Sequence, residues 1–61
     1  MDALLTTAAA AERLVVKSST LARWRRQGRG PRFVLLGRKT VRYRSIDLDR
    51  WAIKHLTARS A

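Results

Sequence analysis

Apolar residues recur at helical spacing in three stretches of the chain and at strand spacing in one, and this pattern sets the expected elements. Leu5 stands before Thr6 and Thr7, either of which offers a hydroxyl to an orphan amide of a first helical turn. Ala8 to Leu14 follows, rich in the strongest helix former, with Ala10, Ala11 and Leu14 sharing one face at i+4 and i+3 spacing. The small alanines on that face let another helix approach closely. This first helix is expected to end near Val15 and Val16.

A second helix is expected from about Ser18 to Gln27, with Ser18 or Ser19 as its cap and Gly28 as its stop. Gly30 and Pro31 bar its continuation. At about 100° per residue, Leu21 and Trp24 fall on one side of it, while Ser19, Ala22, Arg23 and Arg26 cluster opposite. After Pro31 the period becomes extended. Arg32 to Leu36 reads as a strand, Gly37 to Thr40 as a tight turn, and Val41 to Arg44 as a return strand alternating apolar and basic residues. Such a two-stranded hairpin must lean on the helices. Ser45 is placed to cap a third helix with Asp47 and Asp49 in its first turn, where carboxylates suit the dipole. Leu48, Trp51, Ala52 and His55 form one stripe of that helix, and Ile46, Ile53 and Leu56 a second, partly opposed one. Trp24, Phe33, Tyr43 and Trp51 are expected in the core. The polar tail Thr57 to Ala61 is expected to fray.

The fold class is therefore a small α+β domain over residues 1–61, with a thin core for so short a chain. Charge adds the first functional pointer: fourteen Lys plus Arg stand against four acids, a net +10. From Arg23 to Arg44 there are nine basic residues and no acid, and eleven of the fourteen bases are arginine. Polyphosphate is the usual counterpart of such a block, and arginine is the better ligand for phosphate and guanine. Cysteine is absent, which removes disulfides and thiolate metal sites and fits a reducing interior. The lone histidine, His55, does not assemble a zinc site by itself, so no cofactor or metal is expected. No apolar run approaches the roughly 18–20 residues of a membrane span, and the start of the chain lacks the features of a signal peptide; the expected location is cytoplasmic and nucleoid-associated, with no membrane partner. Paired carboxylates in a pocket-like setting are missing, which argues against an enzyme.

Two short helices joined by Val15-Val16-Lys17 and followed by a basic hairpin make a helix-turn-helix with a wing. At this point the residues resemble a known family. Leu5-Thr6-Thr7, Ala10-Ala11, Leu14, Thr20-Leu21, Trp24-Arg25, Gly28-Arg29-Gly30-Pro31, Phe33, Leu36-Gly37-Arg38 and Val41-Arg42-Tyr43-Arg44, with Asp47-Leu48 and Trp51, look like the MerR-related winged-helix modules of excisionases and AlpA-like regulators. The resemblance covers Leu5 to about Ala52. It implies a second helix that enters the major groove and a wing that touches backbone or minor groove. For excisionases it further implies binding at adjacent sites and bending of DNA for an integrase, without catalysis.

The chain departs from that family at three positions. Ala9 stands where a first-turn glutamate completes a capping box. Val15 stands where glycine is frequent, and because valine resists positive φ, either the first helix runs on or the turn differs. Lys17 stands at the second helix's usual serine cap, which shifts the expected cap to Ser18.

The expected DNA contacts are Ser18, Ser19, Ala22, Arg23 and Arg26 on the recognition helix, and Arg38, Lys39, Thr40, Arg42 and Arg44 on the wing. The expected partners are double-stranded DNA, an integrase or recombinase, and neighbouring copies of the chain on DNA. A minimal AlpA- or MerR-like transcriptional regulator is the nearest rival, although nothing in the sequence is left over to sense a ligand. A small RNA-binding protein is more distant, because its base-stacking aromatics are here assigned to the core.

Overall fold

A computed structural model describes residues 3–56 of the chain. The expected fraying of Thr57 to Ala61 lies outside the described residues. Six elements follow one another: β1 (Leu4–Leu5), α1 (Thr7–Leu14), α2 (Ser18–Arg26), β2 (Val34–Leu36), β3 (Thr40–Arg44) and α3 (Ser45–Lys54). Three helices and a sheet in this order are the expected α+β architecture, a helix pair followed by a wing.

The start of α1 follows from Thr6, whose hydroxyl accepts the amide of Ala9 at 3.1 Å. This is half of a capping box, the half that does not need a glutamate. At its other end α1 closes on Val15, which takes the left-handed conformation at φ 58° and ψ 45°. The amide of Val16 donates to Ala11 O at 2.9 Å and that of Val15 to Glu12 O at 3.1 Å, the paired bonds of a Schellman stop. The expectation that valine would force a different turn is therefore corrected. The two hydrogen bonds and the partial burial of Val16 on the core hold Val15 where glycine is usual.

Helix α2 starts directly after this turn, with Lys17 at its cap position and no side-chain cap bond. Ser18 is thus the first helical residue and not the cap, because the tight turn at Val15 lets the helix begin one residue sooner. The same holds for α3: Arg44 occupies its cap position, and Ser45 is already helical. The Ser45 hydroxyl instead accepts the amide of Ala3 at 3.3 Å, and the Ser45 amide donates to Ala3 O at 3.0 Å. Helix α2 ends on Gly28 at φ 71°, where Arg29 N donates to Trp24 O at 2.7 Å and Gly28 N to Arg25 O at 3.2 Å.

The sheet is three-stranded and antiparallel, in the order β1-β3-β2, where a two-stranded hairpin was expected. Leu4 pairs with Arg44 and Leu5 with Tyr43 on one side of β3, while Val34, Leu35 and Leu36 pair with Arg42, Val41 and Thr40 on the other. Pairing begins at Val34, so Arg32 and Phe33 lie outside the ladder; Thr40 is the first residue of β3 rather than part of the turn. The core joins Ala10 and Ala11 of α1, Leu21 of α2, Tyr43 of β3 and Leu48 of α3, with Leu5, Leu14, Val16, Trp24 and Val41 packed around them. Trp24 and Trp51 are half-buried against each other, their ring centroids 5.3 Å apart. Phe33 is a correction. It is 39% exposed, because its place before the ladder sets its ring against Tyr43 at 6.2 Å instead of in the core.

Candidate nucleic-acid interface

The amphipathic character of α2 sets up the interface. Leu21 is fully buried and Trp24 half-buried, so the opposite side of the helix is pressed outward. Ser18, Ser19, Arg23 and Arg26 are all exposed, and Ala22 is half-buried among them. A small residue there lets a groove wall come near the helix backbone. The first-turn amides of α2 receive no side-chain acceptor from Lys17, leaving donors at the end of the helix that suits an anion. Helix α1 packs directly on α2 and braces it.

The wing is the β2–β3 hairpin with Gly37, Arg38 and Lys39 at its tip. Gly37 supplies a positive φ of 76°, and Arg38, Lys39 and Thr40 are exposed. The two basic strand positions differ from the tip. Arg42 is half-buried, and one guanidinium nitrogen donates to the carbonyl of Val41 at 2.8 Å. Arg44 donates twice to Asp47, from Nε at 2.8 Å and from Nη2 at 3.0 Å. Asp47 is only 6% exposed, and these bonds from Arg44 hold its carboxyl below the usual range, against the opposing effect of burial. Arg44 therefore locks the start of α3 to the end of β3.

Sequence reasoning named Arg25 only as part of a motif, and the structure gives it a distinct place. Its Nη1 donates to the hydroxyls of Thr7 at 3.2 Å and Tyr43 at 3.1 Å, and its guanidinium lies 5.9 Å from the centroid of the Phe33 ring. One cation thus ties α2 to α1, to β3 and to the approach to β2. The signal was present in the helical spacing, since Arg25 projects on the same side as Leu21, about 40° from it.

A family model of the helix-turn-helix domain matches residues 4–55. The chain belongs to the helix-turn-helix domain family. The match to this DNA-binding family spans both α1 and α2, with Val15 to Lys17 between them. No curated protein and no solved structure matches the chain. Among the described residues of this helix-turn-helix domain, no helix is long and apolar enough to cross a membrane. Nor does any group of three or more His, Cys, Asp or Glu among them stand close enough to hold a metal ion.

Proposed function

We propose that this helix-turn-helix domain binds double-stranded DNA at specific sequences and acts as an excisionase-like architectural factor, bending DNA for an integrase and catalysing nothing itself. The observation that carries the reading is the outward face of α2. Ser19, Arg23 and Arg26 stand exposed around Ala22 on a helix whose other side is anchored by Leu21. A face of that width fits the major groove, where arginine reads guanine with two hydrogen bonds. Arg38 and Lys39 at the wing tip, with Thr40 beside them, meet phosphate next to that groove. Arg44 contributes through the fold, by way of Asp47, and Arg42 stands between the two roles.

The choice of excision over transcription rests on the resemblance to excisionases, and the arrangement of apolar surface is compatible with it. One small domain makes few base contacts, so useful specificity requires several copies side by side. Ile53 on α3 and Leu56 just past its end are 73% and 77% exposed and offer a neighbour a place to pack. Head-to-tail contacts of this kind extend along DNA instead of closing into a dimer, and small bends accumulate.

The test is a titration of the protein onto duplexes carrying one, two and three sites, with bending read by circular permutation. Binding that tightens with site number and a bend that grows with it are expected. Equal affinity per site without bending overturns the architectural role and leaves a simple regulator.

A further inference from the structure

On the inward side of α2, between its end and α3, runs a groove of ≈ 650 Å³. We propose that it docks an acidic segment of a protein partner, one that carries an apolar or aromatic side chain among its carboxylates. The inference does not rest on excision: it holds for any DNA-bound role of this domain.

The apolar part of the groove comes from Trp24 and Trp51, both half-buried in its lining. Both rings already pack on neighbours. Trp51 has Trp24 tilted at 39° against it, and His55 stacked on it at 4.6 Å and 25°. Gly30 lies so close to Trp24 that a Cβ on it would stand 3.1 Å from the tryptophan Cβ and 3.4 Å from Cε3. A ligand therefore meets an apolar wall of two rings already packed on neighbours, which suits an aliphatic or aromatic side chain.

The charged part comes from Arg29 and Arg32 on the loop after α2 and from Arg50 and Lys54 on α3, all four exposed. Among the described residues, none of these four side chains makes a hydrogen bond or close ion pair; Arg32 and Arg50 act on Asp47 only through their charge. The one carboxylate in the lining, Asp47, has both oxygens engaged by Arg44. Arg50 and Lys54 stand four residues apart on α3, where like charges oppose each other. A bound carboxylate relieves that repulsion and finds cations on both walls. The volume lies within the roughly 300–1,000 Å³ of ordinary ligand pockets, room for a few side chains. Trp24 is turned about 100–160° around α2 from Arg23, Ser19 and Arg26, so a duplex on the outward face leaves the groove open.

The two tryptophans of the chain both line this groove, so intrinsic fluorescence reports its occupancy. The probe is a synthetic acetylated peptide of glutamates flanking a Leu-Phe pair, titrated against the protein alone and against its complex with duplex DNA. A saturable change in emission is expected in both. The double variant Arg50→Glu with Lys54→Glu should weaken peptide binding about tenfold or more while leaving duplex affinity within about threefold. Arg29→Gln with Arg32→Gln leaves α3 intact and should weaken the peptide in the same direction; far-UV dichroism checks that both variants fold. Peptide binding that is absent, or equal in wild type and variants, overturns the proposal. So does single-stranded oligothymidine shifting the emission more than the peptide and losing that shift in the variants, which makes nucleic acid the occupant.

Discussion

Arg23 and Arg25 stand two residues apart on α2 and meet opposite surroundings. Arg23 is exposed beside Ser19 and Arg26, and Arg25 is folded back onto Thr7, Tyr43 and Phe33. The wing repeats the contrast, with Arg38 and Lys39 at the exposed tip and Arg44 bound to Asp47. A run of like charge is therefore not one surface. Helical and strand periodicity divide it into cations that hold the elements together and cations that are left for a ligand.

The largest way to break this contrast is Arg25→Met. It removes the donor shared by Thr7 and the fully buried Tyr43 hydroxyl, at a cost of about 2–3 kcal/mol. That is a large part of the roughly 3–9 kcal/mol that a domain of this length holds. Denaturant unfolding should show it, with DNA binding lost only in proportion to the unfolded fraction. Arg23→Ala should do the reverse, leaving stability within about 0.5 kcal/mol and costing about 1–3 kcal/mol of binding at the specific site. If Arg23→Ala unfolds the protein, or Arg25→Met leaves it as stable as wild type, the division is misplaced.

The Arg44–Asp47 pair gives a third handle, through pH. Asp47 has its carboxyl lowered from 3.8 by the bonds from Arg44, so the folded state favours the ionised form. The stability this contributes is complete above the ordinary carboxylate range and drains as pH falls below it. Thermal melts between neutral and acid pH should show Asp47→Asn less stable by about 1–2 kcal/mol at pH 7, allowing for the exposed side of Arg44, and less sensitive to acid than wild type. Smallest of all in stability is the wing pair. Arg38→Ala with Lys39→Ala should leave folding unchanged and weaken binding to all duplex sequences alike, lowering the slope of log K against log salt by about 1.8 if each contacts one phosphate.

Much of this was legible in the order of residues. Periodicity located all three helices, and the outward face of α2 follows from about 100° per residue applied to Leu21 and Trp24. Strand β1 escaped because two residues, Leu4 and Leu5, are too short to display alternation. The caps at Ser18 and Ser45 were each placed one residue late. Side-chain type marks a good cap, but backbone conformation decides which residue serves as one, and the turns at Lys17 and Arg44 had already supplied it. The structural cations were hidden for a different reason. Arg25 meets Tyr43 eighteen residues away, a distance at which sequence carries no spacing rule. Val15 shows the limit of the φ rule, since two hydrogen bonds hold a valine where glycine is easier. Val15→Gly should raise stability by roughly 1 kcal/mol in the same unfolding assay.

Strand β1 also bears on the order in which the molecule forms. Ala3 meets Ser45 across 42 residues, whereas β2 and β3 meet across a short turn. Closing the larger loop costs more chain entropy and rewards only two paired residues, so this closure belongs late in folding. During synthesis Leu4 and Leu5 must wait for Tyr43 and Arg44 before they have a partner. In the finished protein the same seam should open first, and its amides should exchange with solvent ahead of those in the β2–β3 ladder.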